Sequence, residues 1–204
     1  MKKISKATKS IKSKQVLKKM GLYLEKHHQL AHIYFILAIR TGYRVGDLID
    51  LTVWDVKQAI KKKEFSIVEK KTEGTRSKPK PRNVQIGEGT IMLLESYIKN
   101  KNNWEYIFPS PKGKGHFSIR QMGRIINKAA KEAGITYNVS NHGLRKTYGY
   151  LHFQKLFKDK KDTMYALLIV QEDFGHSTPE VTRRYIGLYD EEREASTKYF
   201  EEVG

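Results

Sequence analysis

Apolar residues recur at spacings of three and four through most of this chain, and only two short stretches break that rhythm. Val16, Met20, Leu22 and Tyr23, then Leu30, Ile33, Ile36 and Leu37, lie on the stripe of an amphipathic helix. Thr41-Gly42 interrupts that run, and Val45, Leu48, Ile49 and Leu51 begin a second, shorter helix. The exceptions are Phe65–Val68 and Asn83–Ile86, which read as strands. Between them lies KKTEGTRSKPKP, rich in turn formers and charge, so the pair reads as a β-hairpin with a long tip. Helical rhythm returns at Ile91–Lys99, and an extended, Pro-flanked WEYIFPSP follows. Ser118 and Gln121 frame a capping box for a helix bearing Ile119, Met122, Ile125, Ile126 and Ala129, closed by Gly134. Further helices fit Gly143–Phe157, Thr163–Glu172 and Glu180–Leu188, the last with a capping box of Ser177 and Glu180 and with Pro179 in its first turn. The expected fold class is mainly α with a small antiparallel sheet.

Three segments are expected. Residues 1–20 hold many Lys and no acid, the composition of a flexible basic arm or linker stump. Residues 21–189 carry the folded domain, a length that buries a core without staples. Residues 190–204 are acidic and helix-compatible.

Charge narrows the function. Lys and Arg number 39 against 22 Asp and Glu, a formal net charge of +17, and such an excess on a folded domain suits a polyanionic partner, above all nucleic acid. The chain has no Cys, which excludes disulfides, Cys-ligated zinc and a thiol nucleophile. No apolar run approaches the roughly 18 residues of a membrane span, and no apolar stretch follows the N-terminal lysines as in a signal peptide. A soluble, cytoplasmic protein is expected. His142, His152 and His176 lack metal-ligand spacing, and KGKG at 112–115 lacks that of a phosphate-cradling loop.

Four short motifs carry chemistry together. TGYRVGDL puts Arg44 just after a helix end, KKTEG puts Lys71 at the hairpin tip, and NHGLRKT puts His142 and Arg145 three residues apart on one helix face. FGHSTPEVTRRY contributes His176 and Tyr185. Metal-free cleavage of a phosphodiester needs planar cationic forks for the charge on the equatorial oxygens, which Arg44 and Arg145 suit. It needs a hydroxyl nucleophile, for which Tyr185 qualifies, and His142 is a group able to take its proton. Lys71, on a hairpin, suits protonation of the departing oxygen. Lys70 rivals Lys71, and Tyr189, one turn on, rivals Tyr185. Arg76, Lys78, Lys80 and Arg82 read as a basic tip for backbone phosphates.

In order and approximate separation, from about Leu30 to Tyr185, this set resembles the tyrosine recombinase, or phage integrase, family. Its members carry an Arg in a TGxRxxEL-like box, a hairpin Lys, an HxxR box, a GH box and a Tyr. Arg44, Lys71, His142 with Arg145, His176 and Tyr185 stand at those positions, and Asp47 stands where the first box often has Glu, as a supporting residue. The resemblance implies the mainly helical integrase catalytic fold with a small sheet at one edge. It implies attack by Tyr185 on DNA, a 3′-phosphotyrosine intermediate and rejoining to a new strand, with no metal or other cofactor. It implies double-stranded DNA as partner and a tetramer on paired sites, with the acidic terminal segment docking on a neighbouring subunit through Tyr199-Phe200. About forty residues precede Arg44, too few for the family's N-terminal clamp domain, so an excised catalytic domain or a natural single-domain member is expected. A topoisomerase of the same chemistry and a non-catalytic DNA-binding module are the competing functions.

Overall fold

The computed structural model describes residues 8–70, 80–113 and 115–203. Ten helices and two strands occur among them. The order is α1 (Lys14–His27), α2 (Gln29–Thr41), α3 (Val45–Ile49), α4 (Val53–Lys62), β1 (Glu64–Ile67), β2 (Arg82–Gln85) and α5 (Glu88–Ile98). Then come α6 (Ile119–Glu132), α7 (Asn141–Lys160), α8 (Thr163–Phe174), α9 (Pro179–Ile186) and α10 (Leu188–Val203). The expected class, mainly α with a small antiparallel sheet, is observed. β1 and β2 pair antiparallel with Phe65 opposite Val84 and Ile67 opposite Arg82. Each strand begins and ends one residue earlier than its apolar run suggests. Phe65 turns inward and is buried, because alternate strand residues face opposite sides.

Helix ends follow local chemistry. Gly42, Gly175 and Gly187 take left-handed backbone at the C-caps of α2, α8 and α9, a conformation glycine adopts without penalty. Thr52 and Asp55 close a capping box at the start of α4, a helix that the apolar pattern alone does not reveal. The α9 cap differs from expectation. Thr178, not Ser177, accepts the Val181 amide, which puts Pro179 at the first helical position.

Two buried clusters sit along α7. The larger packs α1–α6 around Phe35, Leu37, Tyr43, Phe108 and Met122, with Leu144 of α7. The smaller joins Phe153 of α7 to Ala166, Leu167, Val170 and Phe174 of α8, with Ile186 and Leu188. Residues 8–20 are not the flexible arm that their lysines suggested. Ile11 is buried, its amide donates to Thr147 Oγ1 at 2.8 Å, and Ser10 Oγ donates to the Ile186 carbonyl at 3.0 Å. Burial of Ile11, Leu17 and Met20 together with these hydrogen bonds outweighs the local self-repulsion, and α1 runs through the boundary expected at residue 20. Likewise α10 crosses the boundary at 189. No helix among the described residues is long and apolar enough to cross a membrane.

Candidate active site

Arg44 and Arg145 come together on one buried carboxylate. Arg44 occupies the N-cap of α3, the point where the chain leaves Gly42 to start a new helix. Arg145 lies on the second turn of α7, and it is only 4% exposed. Arg44 Nη1 donates to Glu69 Oε2, and Arg145 Nη1 donates to Glu69 Oε1 and to the Gly42 carbonyl. Arg145 Nη2 reaches Glu69 Oε2 at 3.4 Å. Glu69, just past β1, is itself 6% exposed. Burial pulls the Arg145 guanidinium below its ordinary range, with the Glu69 carboxylate opposing. Gly42 is required here: its φ is +64°, and a Cβ would stand 2.2 Å from the Tyr148 ring.

His142, His176 and Tyr185 close the other side. Tyr185 Oη lies 3.5 Å from His142 Nδ1, with the rings edge to face at 5.1 Å. The His176 ring sits 4.8 Å from the Tyr185 ring. His176 Nδ1 is 3.0 Å from Thr182 Oγ1, so a residue of the tyrosine's own helix orients the imidazole. Burial, with Arg145, Arg44 and His142 nearby, pushes His176 down to about 4, so it is neutral at physiological pH. Burial pushes Tyr185 up to about 12, and the Arg145 guanidinium, within hydrogen-bonding reach, opposes that rise. The Phe174 ring underlies the group, 4.6 Å from the Arg145 guanidinium, 5.2 Å from His176 and 5.3 Å from Tyr185.

The remaining candidates fall in three places. Asp47 is buried, and its Oδ1 accepts the Lys70 amide at 3.1 Å, anchoring the foot of the hairpin tip; burial raises its carboxyl above the usual range. Lys71, Arg76 and Lys78 lie outside the described residues. Lys80 is exposed beside a cavity of about 340 Å³ that Glu69, Arg82, Asp173 and Phe174 also line. Arg82 departs from the basic tip expected for it. Its guanidinium lies between the Tyr43 and Tyr148 rings, 4.7 and 5.3 Å from their centroids, and donates to the Thr41 carbonyl at 2.5 Å. Tyr189, the rival tyrosine, sits among Arg183, Arg184 and Arg193 instead. Lys70 Nζ pairs with Asp50.

Glu69, Phe174, Thr182 and Lys146 were missed from sequence. The Lys146 ammonium lies 5.3 Å over the Tyr185 ring. Only the one-residue offset of Lys146 from Arg145 and the helical spacing of Thr182 before Tyr185 offered any signal. Among the described residues, no group of three or more His, Cys, Asp or Glu is arranged to hold a metal ion. The arrangement offers guanidinium forks for an anion, a phenol, and two imidazoles within reach of its oxygen and ring.

Comparison with known proteins adds four findings. The profile of the Phage integrase family matches residues 9–192. The probable integrase/recombinase YoeC of Bacillus subtilis (strain 168) is 30% identical over 190 residues, covering 93% of this chain and 95% of the relative. The crystal structure of XerA recombinase superposes with a TM-score of 0.67 at 23% identity, covering 97% of this chain and 66% of that one. A lambda integrase dimer bound to a COC′ core site gives 0.63 at 18% identity, covering 89% of this chain and 49% of that one.

Proposed function

The chain belongs to the phage integrase family of tyrosine recombinases, and from that premise we propose that it breaks and rejoins DNA with Tyr185 as its nucleophile. The observation that carries this reading is the meeting of Tyr185, His142, His176, Arg145 and Arg44 around one point, from segments as far as 141 positions apart in number (185 − 44).

In the proposed reaction the Tyr185 oxygen attacks a backbone phosphorus, and the bond to the 5′-oxygen breaks. A 3′-phosphotyrosine and a 5′-hydroxyl result. His142 takes the phenol proton, and the 3.5 Å separation supports that role, since such contacts shorten once substrate is bound. Arg44 and Arg145 bind the non-bridging oxygens where charge develops, an effect worth about 3–4 kcal/mol per well-aimed donor. Neutral His176 donates a hydrogen bond to the same phosphate through Nε2, while Nδ1 faces Thr182. Lys71 protonates the departing 5′-oxygen. A second 5′-hydroxyl then attacks the phosphotyrosine and restores the backbone, the ester having kept the bond energy. The chemistry needs no metal or other cofactor.

Double-stranded DNA is the proposed substrate, in keeping with the lambda integrase of the same fold whose crystal structure is bound to DNA. Arg76, Lys78 and Lys80 at the hairpin would hold backbone phosphates, and Asp47 would hold the hairpin foot against α3. Assembly into a tetramer on paired sites is proposed, with the exposed Tyr199 and Phe200 of α10 offered to a neighbouring subunit.

The test is a nicked duplex carrying the cognate site, whose cleaved fragment diffuses away and traps the covalent adduct. An adduct lost in Tyr185→Phe and kept in Tyr189→Phe is the expected result. No adduct on the cognate site, or one that survives Tyr185→Phe, overturns the reading.

A further inference from the structure

The two arginines proposed to grip the phosphate share an anion that the chain itself supplies. Glu69 is almost wholly covered, yet both of its oxygens are engaged by guanidiniums from helices far apart in sequence. A carboxylate this deep is tolerated only when paired, so the contact is strongly favoured once the fold has formed. It joins three separate segments: the N-cap of α3, the end of β1 and the second turn of α7.

We infer that Glu69 is a positioning residue for strand cleavage: it fixes the spacing and tilt of the Arg44 and Arg145 guanidiniums before DNA arrives. The inference rests on the recombinase reading above. Two like charges so close repel, and Arg44 is a long side chain at a helix start, 28% exposed and with no other fold-given restraint on its tip among the bonds above. The carboxylate between them offsets the repulsion and turns the arginine tips toward each other. On Arg145, Nη1 bonds Glu69 and Gly42 and Nη2 reaches Glu69 at 3.4 Å, which orients the guanidinium plane.

Depth relative to Arg44 favours a buttress over a placeholder for the phosphate. A duplex approaches from solvent, so a group filling the phosphate's seat would lie on the open side of the arginines. Glu69 is 6% exposed and Arg44 28%, which puts the carboxylate beneath the Arg44 guanidinium, while Arg145, at 4%, lies as deep as Glu69. The arrangement also has a cost. The carboxylate cancels one of the two guanidinium charges, so Glu69 weakens attraction for DNA while it improves alignment. Cleavage rate should therefore fall without a matching fall in DNA affinity when it is changed, which a general loss of structure would not produce.

Two variants test this. Glu69→Gln keeps the shape and removes the charge, and Glu69→Asp keeps the charge but falls one methylene short. Cleavage of the nicked duplex at saturating protein should slow about a hundredfold in both, the scale of an ångström-sized misalignment. Affinity is measured in a Tyr185→Phe background, where no cleavage intervenes. There Glu69→Gln should bind the duplex as tightly as its parent or more so, and Glu69→Asp should match it. Cleavage within about threefold of wild type in either variant overturns the inference. So does faster cleavage by Glu69→Gln, which would make the carboxylate a placeholder, and so does an affinity loss as large as the rate loss. If the wild type forms no Tyr185-dependent adduct, the recombinase reading fails by itself. The affinity arm still judges Glu69, because weaker binding by Glu69→Gln contradicts the charge argument.

Discussion

Gly149 sits in the middle of α7, where helix propensity and packing make opposite predictions for alanine. On propensity alone Gly149→Ala should stabilise, by about 0.5–1 kcal/mol, since alanine has less backbone entropy to lose. Packing opposes this. A Cβ on Gly149 would lie 2.5 and 2.7 Å from two ring carbons of Phe174 and 2.8 Å from Ile186 Cγ2, roughly an ångström inside normal contact. Neither neighbour has room to retreat, because Phe174 is 2% exposed and Ile186 0%. Overpacking of this kind costs about 1–3 kcal/mol, so the net effect should be a loss of about 1–2 kcal/mol. For a chain of this size that lowers the melting temperature by about 2–8 °C. The function should suffer more than the stability. The displaced ring is the one lying under Arg145, His176 and Tyr185, and an ångström of misplacement there costs about a hundredfold in cleavage rate. Thermal unfolding and single-turnover cleavage at 25 °C measure the two effects. Gly46→Ala is the control, because its Cβ meets nothing within 4 Å and should stabilise slightly. A Gly149→Ala protein that melts at or above wild type refutes the packing argument. One that melts lower yet cleaves normally refutes the role assigned to Phe174.

Two further outcomes are expected. His176 titrates near 4 in the folded chain and near its ordinary 6.5 when unfolded, so the unfolded state binds a proton first as pH falls. Its contribution is therefore present above pH 6.5 and lost between 6.5 and 4, by about 1–3 kcal/mol for this half-buried ring; denaturant midpoints that shift equally with pH in wild type and His176→Gln contradict this. The smaller buried cluster anchors α8 and α9 through seven residues, so their amides should exchange with solvent faster than those of α2 in hydrogen-exchange measurements. Equal protection of α9 and α2 would mean that the two clusters unfold as one unit.

What could be read from sequence divides by the kind of constraint acting on each residue. His142 and Arg145 are legible because one helix face brings them together, and Tyr185 because its spacing from His176 is short. Chemistry restricts such positions to very few residue types. Glu69 stands in a charged run, EKK, which reads as a solvated strand end. Nothing local marks it, since its partners lie 25 and 76 positions away. Arg82 misleads for the same reason. At the foot of a basic hairpin it reads as a phosphate contact, yet the rings of Tyr43 and Tyr148, far away in the chain, enclose its guanidinium. Helix α4 escaped because Val53, Val56, Ala59 and Ile60 are diluted by lysines, although the Thr52-Asp55 pair that caps it was readable.

The fold explains why the legible residues alone do not make a site. α7 spans both buried clusters, with Leu144 in the larger and Phe153 in the smaller, and His142 and Arg145 lie near its start. Arg44 and Glu69 belong to the side built on the larger cluster, whereas His176 and Tyr185 belong to the smaller. The groups proposed to react thus straddle a seam, and side chains that cross it hold them in register. Arg145 crosses it in both directions, by its bonds to Glu69 and Gly42 on one side and its stacking on Phe174 on the other. In the proposed reaction a residue in that position would serve the fold and the phosphate at once, which is why Arg145→Lys should lose more than one cationic contact: a lysine keeps the charge but cannot bond two oxygens in one plane while lying flat on a ring.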